Sequence, residues 1–219
     1  MNTHTEENYL KAIYKLSDQG STVVNTNSVA GQLHTKASSV TDMLKKLSEK
    51  KLINYEKYQG VTLTKAGDKV ALKIIRKHRL WEVFLVDQLK FKWDEVHDIA
   101  EQLEHVVSPE MVNRLDKFLD FPKFDPHGDP IPDKKGVVSN RMEFFLADLN
   151  SVDKGMIVGV NDSSPEFLQY LEQKQLILGT KVRLLEKFTY DNSMAIEMNG
   201  KSEMTISNKV ARNINISKV

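Results

Sequence analysis

The sequence contains no cysteine among its 219 residues, which excludes disulfide bonds and thiolate metal sites and favours an intracellular protein. No apolar run approaches the ~20 residues that a membrane-spanning helix requires. The first ten residues, "MNTHTEENYL", lack the basic and apolar regions of a signal peptide. Because 40% of the residues are hydrophobic and 28% are charged, the chain can bury an apolar core. We therefore expect a soluble, cytoplasmic protein without membrane partners.

The chain also lacks a large net charge, since its formal charge is only +1, but the two signs are unevenly placed. Residues 1–80 hold 14 Lys/Arg against 7 Asp/Glu, a balance of +7, whereas residues 81–150 hold 8 against 15, a balance of −7. A basic segment followed by an acidic one indicates contact with a polyanion and a site for cations. The alternative is that the charges cluster by chance.

The first 64 residues show the element order of a winged helix-turn-helix. Apolar residues recur at helical spacing in "TEENYLKAIYKL" and "SSVTDMLKKLSEKKL", with the short helical segment "NSVAGQL" between them. β-rich runs on either side of Gly60 in "LINYEKYQGVTLT" predict a hairpin, and Thr64 is suited to cap the next helix. In this motif the second helix of the pair enters the DNA major groove. The same order occurs in protein-binding modules, and the basic excess favours DNA.

Three more helices and a small mixed domain are predicted after the hairpin. The helices cover residues 65–89, 93–107 and 108–121, the last capped by Ser108. Residues 122–140 hold four of the six prolines, which predicts an irregular tether between domains. "NRMEFFLADL" has helical character. Residues 151–219 then combine a helix, "EFLQYLEQKQL", with short strands at "TKVRLLEKF", "MAIEMNG" and "SEMTIS".

The segment "VHDIAEQLEHVV", residues 96–107, concentrates imidazole and carboxylate groups. In a helix, one third of its circumference would carry His97, Glu101, Glu104 and His105. The preceding helix carries His78 and Glu82 four residues apart. Such a set without sulfur suits Mn²⁺, Fe²⁺ or Zn²⁺, and the alternative is a solvated face with His–Glu pairs. Catalysis is not expected, because the sequence has no HExxH motif, Gly-rich phosphate loop or nucleophile motif.

Several segments resemble the diphtheria-toxin-repressor family of metal-dependent transcriptional repressors. "TEENYLKAIYKL", "SSVTDMLKKLSEKKLINYEKYQGVTLTKAG", "RKHRLWEVFL", "VHDIAEQLEHVVS" and "HGDPIP" occur in the family's order, and the segment from "EFLQYLEQKQL" onward resembles its SH3-like (FeoA-like) domain. The resemblance covers nearly the whole chain. It implies a mainly α fold with a small β content: a winged helix-turn-helix at residues 1–72, a helical metal-binding and dimerisation domain at 73–140, and an SH3-like β-barrel at 141–219.

The resemblance also implies two metal sites. The primary, activating site would consist of Asn8, Glu101, Glu104 and His105. The ancillary site would draw on His78, Glu82, His97, Asp125, His127 and Glu166, with Asp162 as a further candidate. Glutamate at position 101 follows the manganese-responsive members of the family, so Mn²⁺ is the expected cofactor and Fe²⁺ the alternative. Asn8 departs from the family, whose members have aspartate or methionine at that position.

The implied function is a repressor that binds palindromic operator DNA as a homodimer when metal is bound and so controls metal homeostasis genes. Metal held between the DNA-binding and dimerisation domains would set the spacing of the two recognition helices in advance. The candidate DNA contacts are Lys36, Ala37, Ser38, Ser39, Thr41, Asp42, Lys45, Lys46 and Lys57. The alternative is a metal-binding adaptor or buffering protein whose winged helix contacts another protein.

Overall fold

The structure is a computed structural model that describes residues 2–17, 20, 22–56, 59–139, 144–150 and 153–218. Its helices are α1 (His4–Leu16), α2 (Thr26–Gln32), α3 (Ala37–Glu49), α4 (Lys65–Asp87), α5 (His97–Leu103), α6 (Pro109–Phe118), α7 (Pro165–Gln173) and α8 (Asn208–Ala211). Its strands are β1 (Ile53–Glu56), β2 (Gly60–Leu63), β3 (Phe144–Phe145), β4 (Lys154–Val160), β5 (Lys181–Lys187), β6 (Met194–Met198), β7 (Ser202–Ile206) and β8 (Ile214–Lys218). Within the described ranges, we find no helix with the length and apolarity to cross a membrane.

The chain divides into two compact units. The first unit comprises residues 1–78, 101–112 and 132–138, and the second comprises residues 79–100, 113–131 and 139–219. The helix α4 begins in the first unit and ends in the second.

The first unit contains the predicted winged helix-turn-helix. A capping box opens α1, because the Thr3 hydroxyl accepts a hydrogen bond from the Glu6 N–H while the Glu6 carboxylate accepts one from the Thr3 N–H. The Asn25 side chain caps α2. After α3, the strands β1 and β2 pair antiparallel as the predicted hairpin. This order confirms the fold class expected for the N-terminal part of the chain.

The core of the first unit holds these elements together through fully buried aliphatic side chains. Leu10 and Ile13 come from α1, while Leu44 and Leu47 come from α3. Each such burial contributes roughly 2 kcal/mol relative to exposure. The Thr64 hydroxyl accepts a hydrogen bond from the Gly67 N–H at 3.2 Å, which confirms the predicted cap of α4. Because Leu44 and Leu47 are buried, one face of α3 packs in the core and the opposite face is exposed to solvent.

The helices α5 and α6 are shorter than the sequence patterns predict. α5 ends at Leu103, so Glu104 and His105 lie in the turn that follows it. The β-branched Val106 and Val107 lower helix propensity, and Pro109 disfavours helical backbone at Ser108, so both oppose a helix that continues to residue 107. The Ser108 hydroxyl accepts a hydrogen bond from the Met111 N–H at 3.2 Å, as predicted for the start of α6.

Residues 124–131 are irregular, as predicted, but they are packed where the sequence suggests a loose tether. Asp125, His127 and Ile131 are buried. The His127 carbonyl accepts a hydrogen bond from the Val160 N–H of β4 at 3.0 Å. Gly128 has φ +91°, and a Cβ at this position would lie 2.1 Å from the Val158 carbonyl oxygen. The loop therefore lies directly on β4, at a distance that only glycine permits.

The C-terminal part of the second unit forms an antiparallel sheet in the order β3-β8-β4-β5-β6-β7, with α7 and α8 beside it. Register shifts at Ile157/Gly159 and Leu184/Glu186 bend the sheet. Its core includes Ile157, Leu168 and Leu171. This arrangement confirms the small β domain of the predicted fold class.

Three features of this sheet differ from the sequence expectations. β4 and β8 are absent from the prediction. The two glycines of β4 weaken its strand pattern, whereas β8 alternates isoleucine with polar residues, a pattern typical of a strand that could have been recognised. The helical character assigned to "NRMEFFLADL" is wrong from residue 144 onward, and residues 140–143 lie outside the described part. There, Phe144 and Phe145 pair with β8 and Leu146–Asp148 forms a 3-10 turn, so strand pairing outweighs local helical preference.

Candidate nucleic-acid interface and metal centres

The N-terminal half of α3 presents the predicted DNA-contacting residues to solvent. Val40, Leu44 and Leu47 face the core. The exposed residues are Lys36, Ala37, Ser38, Ser39, Asp42, Lys45 and Lys46, and Thr41 is half-buried. Small side chains at the start of a recognition helix permit close approach to base edges, and hydroxyl groups can contact bases or phosphates. Lys57 lies outside the described residues.

Two lysines of α3 differ in how they are held. Lys45 pairs with Asp42 at 3.5 Å on the exposed surface. Lys46 lies 3.1 Å from the buried carboxylate of Glu6, and Lys50 hydrogen-bonds the same carboxylate at 2.8 Å. Burial raises the pKa of Glu6, but Lys50, the Thr3 N–H and Lys46 outweigh this effect and lower the pKa to about 2. Lys46 therefore stabilises α1 through Glu6, and a contact between Lys46 and a DNA phosphate would compete with this pairing.

The predicted primary metal residues meet in the first unit, but a lysine lies between the two glutamates. The Lys11 ammonium of α1 is 3.0 Å from Glu101 Oε1 and 2.6 Å from Glu104 Oε1. The other Glu104 oxygen lies 2.6 Å from His78 Nδ1. Burial raises the pKa of Glu104, but His78 and Lys11 outweigh it and hold this pKa below its ordinary value. The sequence analysis missed Lys11, although its position three residues after Asn8 places both on one face of α1.

The other two predicted primary ligands, His105 and Asn8, lie in different surroundings. His105 Nδ1 is 2.8 Å from Glu7 Oε2, and its ring stacks on His4 with centroids 4.3 Å apart. The buried Oδ1 of Asn8 has no hydrogen-bond partner among the described residues. A divalent ion would need the Glu101 and Glu104 oxygens that hold Lys11, and the ammonium would repel it. As arranged, this set does not fit a divalent metal ion.

A second cluster, made of Glu82, Asp125 and His127, lies entirely in the second unit. All three side chains are buried, and their ligand atoms lie within 4.8 Å of one another. One ion bound at ~2.1 Å separates its ligands by up to about 4.2 Å, so small movements would bring them to coordination distance. An oxygen-rich set with one imidazole suits Mn²⁺ or Fe²⁺. These residues fit a divalent metal ion.

Neighbouring groups orient the second cluster. His127 Nε2 is 2.8 Å from the Trp93 carbonyl oxygen, which leaves Nδ1 on the side of Glu82, 3.8 Å away. Fixing the far nitrogen of a histidine in this way is typical of metal ligands. Asp125 Oδ1 accepts hydrogen bonds from the backbone N–H groups of His127 and Asp129, and Oδ2 is 3.5 Å from Arg79 Nε. The backbone thus holds one carboxylate oxygen, and the other faces the Arg79 guanidinium.

The charges of the second cluster act strongly on one another. Burial lowers the pKa of His127, but Glu82 and Asp125 outweigh it and raise this pKa to about 9. Burial, together with Glu82 and Asp129, raises the pKa of Asp125 to about 7. A protonated His127 therefore balances the buried carboxylates, a role that a metal ion can assume.

The other predicted ancillary residues are distributed as follows. His97 Nδ1 lies 3.4 Å from Glu82 Oε1 in the second unit, while His78 lies in the first unit against Glu104. Glu166 is exposed in the first turn of α7. Asp162 accepts a hydrogen bond from the Ser164 N–H. Of the ancillary set, the structure brings together Glu82, His97, Asp125 and His127 within one unit.

Models of three protein families match consecutive parts of the chain. The model described as iron dependent repressor, N-terminal DNA binding domain, matches residues 1–61. The model described as iron dependent repressor, metal binding and dimerisation domain, matches residues 64–133. The FeoA domain matches residues 145–218.

Individual proteins show the same similarity. The iron-dependent repressor IdeR of Mycobacterium tuberculosis is 35% identical over 128 residues, which are 58% of this chain and 55% of IdeR, so the match spans about half of that relative. The solved structure of a manganese-dependent transcriptional repressor in complex with manganese has a TM-score of 0.88 and 32% identity, and covers 98% of this chain and 100% of that one. The structure of the manganese regulator SloR has a TM-score of 0.77 and 36% identity, and covers 98% of each chain.

Proposed function

Because this chain belongs to the family of iron-dependent repressors, we propose that it represses transcription by binding operator DNA as a homodimer in its metal-bound form. Mn²⁺ is the expected metal and Fe²⁺ the alternative. The proposal is carried by one combination of features: an exposed recognition helix, α3, and a buried divalent-cation site at Glu82, Asp125 and His127 in the same chain. We infer that the regulated genes serve metal homeostasis and that the protein acts in the cytoplasm, where its operator DNA lies.

The residues of α3 act on DNA in two ways. Ser38 and Ser39, which are exposed at the start of the helix, and the half-buried Thr41 would contact base edges in the major groove. Lys36 and Lys45 would neutralise phosphates and set the register of the helix on the duplex. A two-fold dimer requires a palindromic operator whose half-sites match the spacing of its two recognition helices.

The metal would be held by Glu82, Asp125 and His127. When bound, the ion supplies the positive charge that two buried carboxylates require. Trp93 holds the far nitrogen of His127, and the backbone of residues 127 and 129 holds one oxygen of Asp125, so both ligands are oriented beforehand. Glu82 extends from α4, the helix that directly follows the β1–β2 hairpin.

The family resemblance supports further proposals about this chain. His78, His97 and Glu166 stay candidate ancillary ligands, and the domain boundaries at residues 72 and 140 stay predictions. The set Asn8, Glu101, Glu104 and His105 remains the family-implied primary site, with the obstacle that Lys11 presents.

The first prediction is that metal strengthens operator binding at least tenfold, which corresponds to about 1.4 kcal/mol of coupling. A palindromic duplex is selected from a random pool with the Mn²⁺-loaded protein, and its affinity is measured by fluorescence anisotropy. Titrations with Mn²⁺, with Fe²⁺ under anaerobic conditions and with a chelator are compared. Glu82→Gln should abolish the response to metal. Equal affinity with metal and with chelator would refute the proposed function.

A further inference from the structure

Lys11 places a positive charge where the sequence predicts the primary metal ion. We infer that the Lys11 ammonium is the permanent cation of the carboxylate site formed by Glu101 and Glu104, and that it occupies this site in place of a divalent metal ion. The chain would then bind metal tightly only at Glu82, Asp125 and His127. The inference uses the proposed function only for this second site.

The geometry is that of a built-in ion pair. The Lys11 side chain is 7% exposed and that of Glu104 is 0% exposed, so neither group is free to exchange its partner for water. The ammonium contacts one oxygen of each glutamate, at 3.0 and 2.6 Å, which is how a cation bridges two carboxylates. Breaking this pair would leave an uncompensated charge in a buried environment, which is strongly unfavourable.

The surrounding charges also favour an ammonium over a divalent ion. His78 contacts the second oxygen of Glu104, so both oxygens of this carboxylate already have partners. Position 8 offers a neutral amide, so the site has one negative charge fewer than an aspartate there would provide. A divalent ion would therefore have to displace an ammonium that is already paired with both carboxylates.

This ion pair has a structural consequence. It ties α1, which belongs to the helix-turn-helix, to the segment of residues 101–112 whether or not metal is present. The cation of this link is a side chain of the protein itself and not a bound metal ion. Metal dependence would then arise from the second cluster alone.

Removing the lysine should create a metal site. Without its side chain, Glu101, Glu104, His105 and the buried Asn8 oxygen would form a set of nitrogen and oxygen ligands without a competing cation. The experiment measures tightly bound Mn²⁺ per chain by elemental analysis after gel filtration, and free Mn²⁺ by electron paramagnetic resonance during titration. It uses the full chain as wild type, Glu82→Gln, Lys11→Gln/Glu82→Gln and Lys11→Arg/Glu82→Gln. Lys15→Gln/Glu82→Gln, which removes an exposed lysine of the same helix, serves as the matched control.

We expect about one equivalent of Mn²⁺ in the wild type and about none in Glu82→Gln. Lys11→Gln/Glu82→Gln should regain about one equivalent, whereas the arginine variant and the Lys15 control should regain none. Retention of about one equivalent in Glu82→Gln that is lost on adding Glu101→Gln would overturn the inference. So would a folded Lys11→Gln/Glu82→Gln chain that binds no Mn²⁺. If the wild type binds no Mn²⁺, the second cluster is not the metal site. The inference about Lys11 would then be tested with Lys11→Gln alone, which should bind about one equivalent of Mn²⁺.

A second measurement needs no substitution and covers the case in which the glutamine variant fails to fold. Reductive methylation followed by mass spectrometry reports how accessible each lysine is. Lys11 should react at least tenfold more slowly than the exposed Lys15, and saturating Mn²⁺ should leave its rate unchanged. An increase in Lys11 methylation on adding Mn²⁺ would show that the ion displaces the ammonium, which would overturn the inference.

Discussion

At the scale of single residues, the best-defined electrostatic feature outside the metal centres is Glu6. Its carboxylate is buried, caps the start of α1 and pairs with Lys46 of α3 and with Lys50, the residue that follows α3. The pKa of Glu6 is lowered to about 2 in the folded state, so ionisation of Glu6 stabilises the folded protein. The stabilisation is complete above the ordinary glutamate pKa of 4.5 and decreases as the pH falls from there towards 2.

We predict that Glu6→Gln lowers the free energy of unfolding by about 2 kcal/mol at pH 7, somewhat less than the pKa change alone suggests because the two lysines are partly exposed. The difference from wild type should shrink as the pH is lowered from 4.5 towards 2. Urea denaturation at a series of pH values measures both quantities. Glu56→Gln, at an exposed position of β1, is the control and should change stability by less than about 0.5 kcal/mol. A pH-independent loss in Glu6→Gln would contradict the electrostatic explanation.

At the scale of elements, the loop of residues 124–131 and the strand β4 act together. The loop supplies Asp125 and His127, and the strand supports it through the Val160 N–H and through the close approach at Gly128. The position of the two candidate metal ligands therefore depends on a contact in which neither of their side chains takes part.

Gly128→Ala should weaken Mn²⁺ binding at least tenfold, because a Cβ 2.1 Å from the Val158 oxygen must displace the loop. Isothermal titration calorimetry measures the affinity. Gly179→Ala separates strain from displacement, since Gly179 also has positive φ, +86°, but no atom would lie within 4 Å of its Cβ. This control should cost about 1 kcal/mol of stability and leave the affinity unchanged. Equal affinities of the two variants would show that the loop position does not determine the site.

At the scale of the whole molecule, charge is divided between regions of the chain. The +7 balance of residues 1–80 and the −7 balance of residues 81–150 coincide with the regions that carry α3 and the second metal cluster, respectively. Long-range attraction to DNA should therefore come from the N-terminal third, and it should weaken with salt.

We predict that Lys45 contacts a DNA phosphate. Lys45→Gln should then reduce the slope of log affinity against log salt by about 0.9 for each copy of Lys45 on the duplex. Lys46→Gln should change this slope less, because Lys46 is held by the buried Glu6. Anisotropy titrations from low to moderate salt give the slopes, with metal at saturation. If duplex binding hardly depends on salt, the winged helix would instead be a surface for a protein partner.

Local patterns determined the recognition part of this protein. The capping residue Thr64, the helical spacing of Val40, Leu44 and Leu47, and the hairpin around Gly60 all act within a few residues. Their physical causes are backbone hydrogen bonding and the periodicity of one buried face, which can be recognised in the sequence. The winged helix-turn-helix and its exposed α3 surface were therefore predictable.

Only the tertiary structure decided how the predicted metal ligands are used. Glu101 and Glu104 lie 90 and 93 positions after Lys11, so no local pattern could show that an ammonium pairs with both. The burial of Asp125 and His127 depends on packing against β4, a strand whose sequence pattern is weak. Residue types and helical spacing indicate which side chains can bind a cation. Which cation they meet is set by long-range packing, because charge pairing and burial depend on the folded chain.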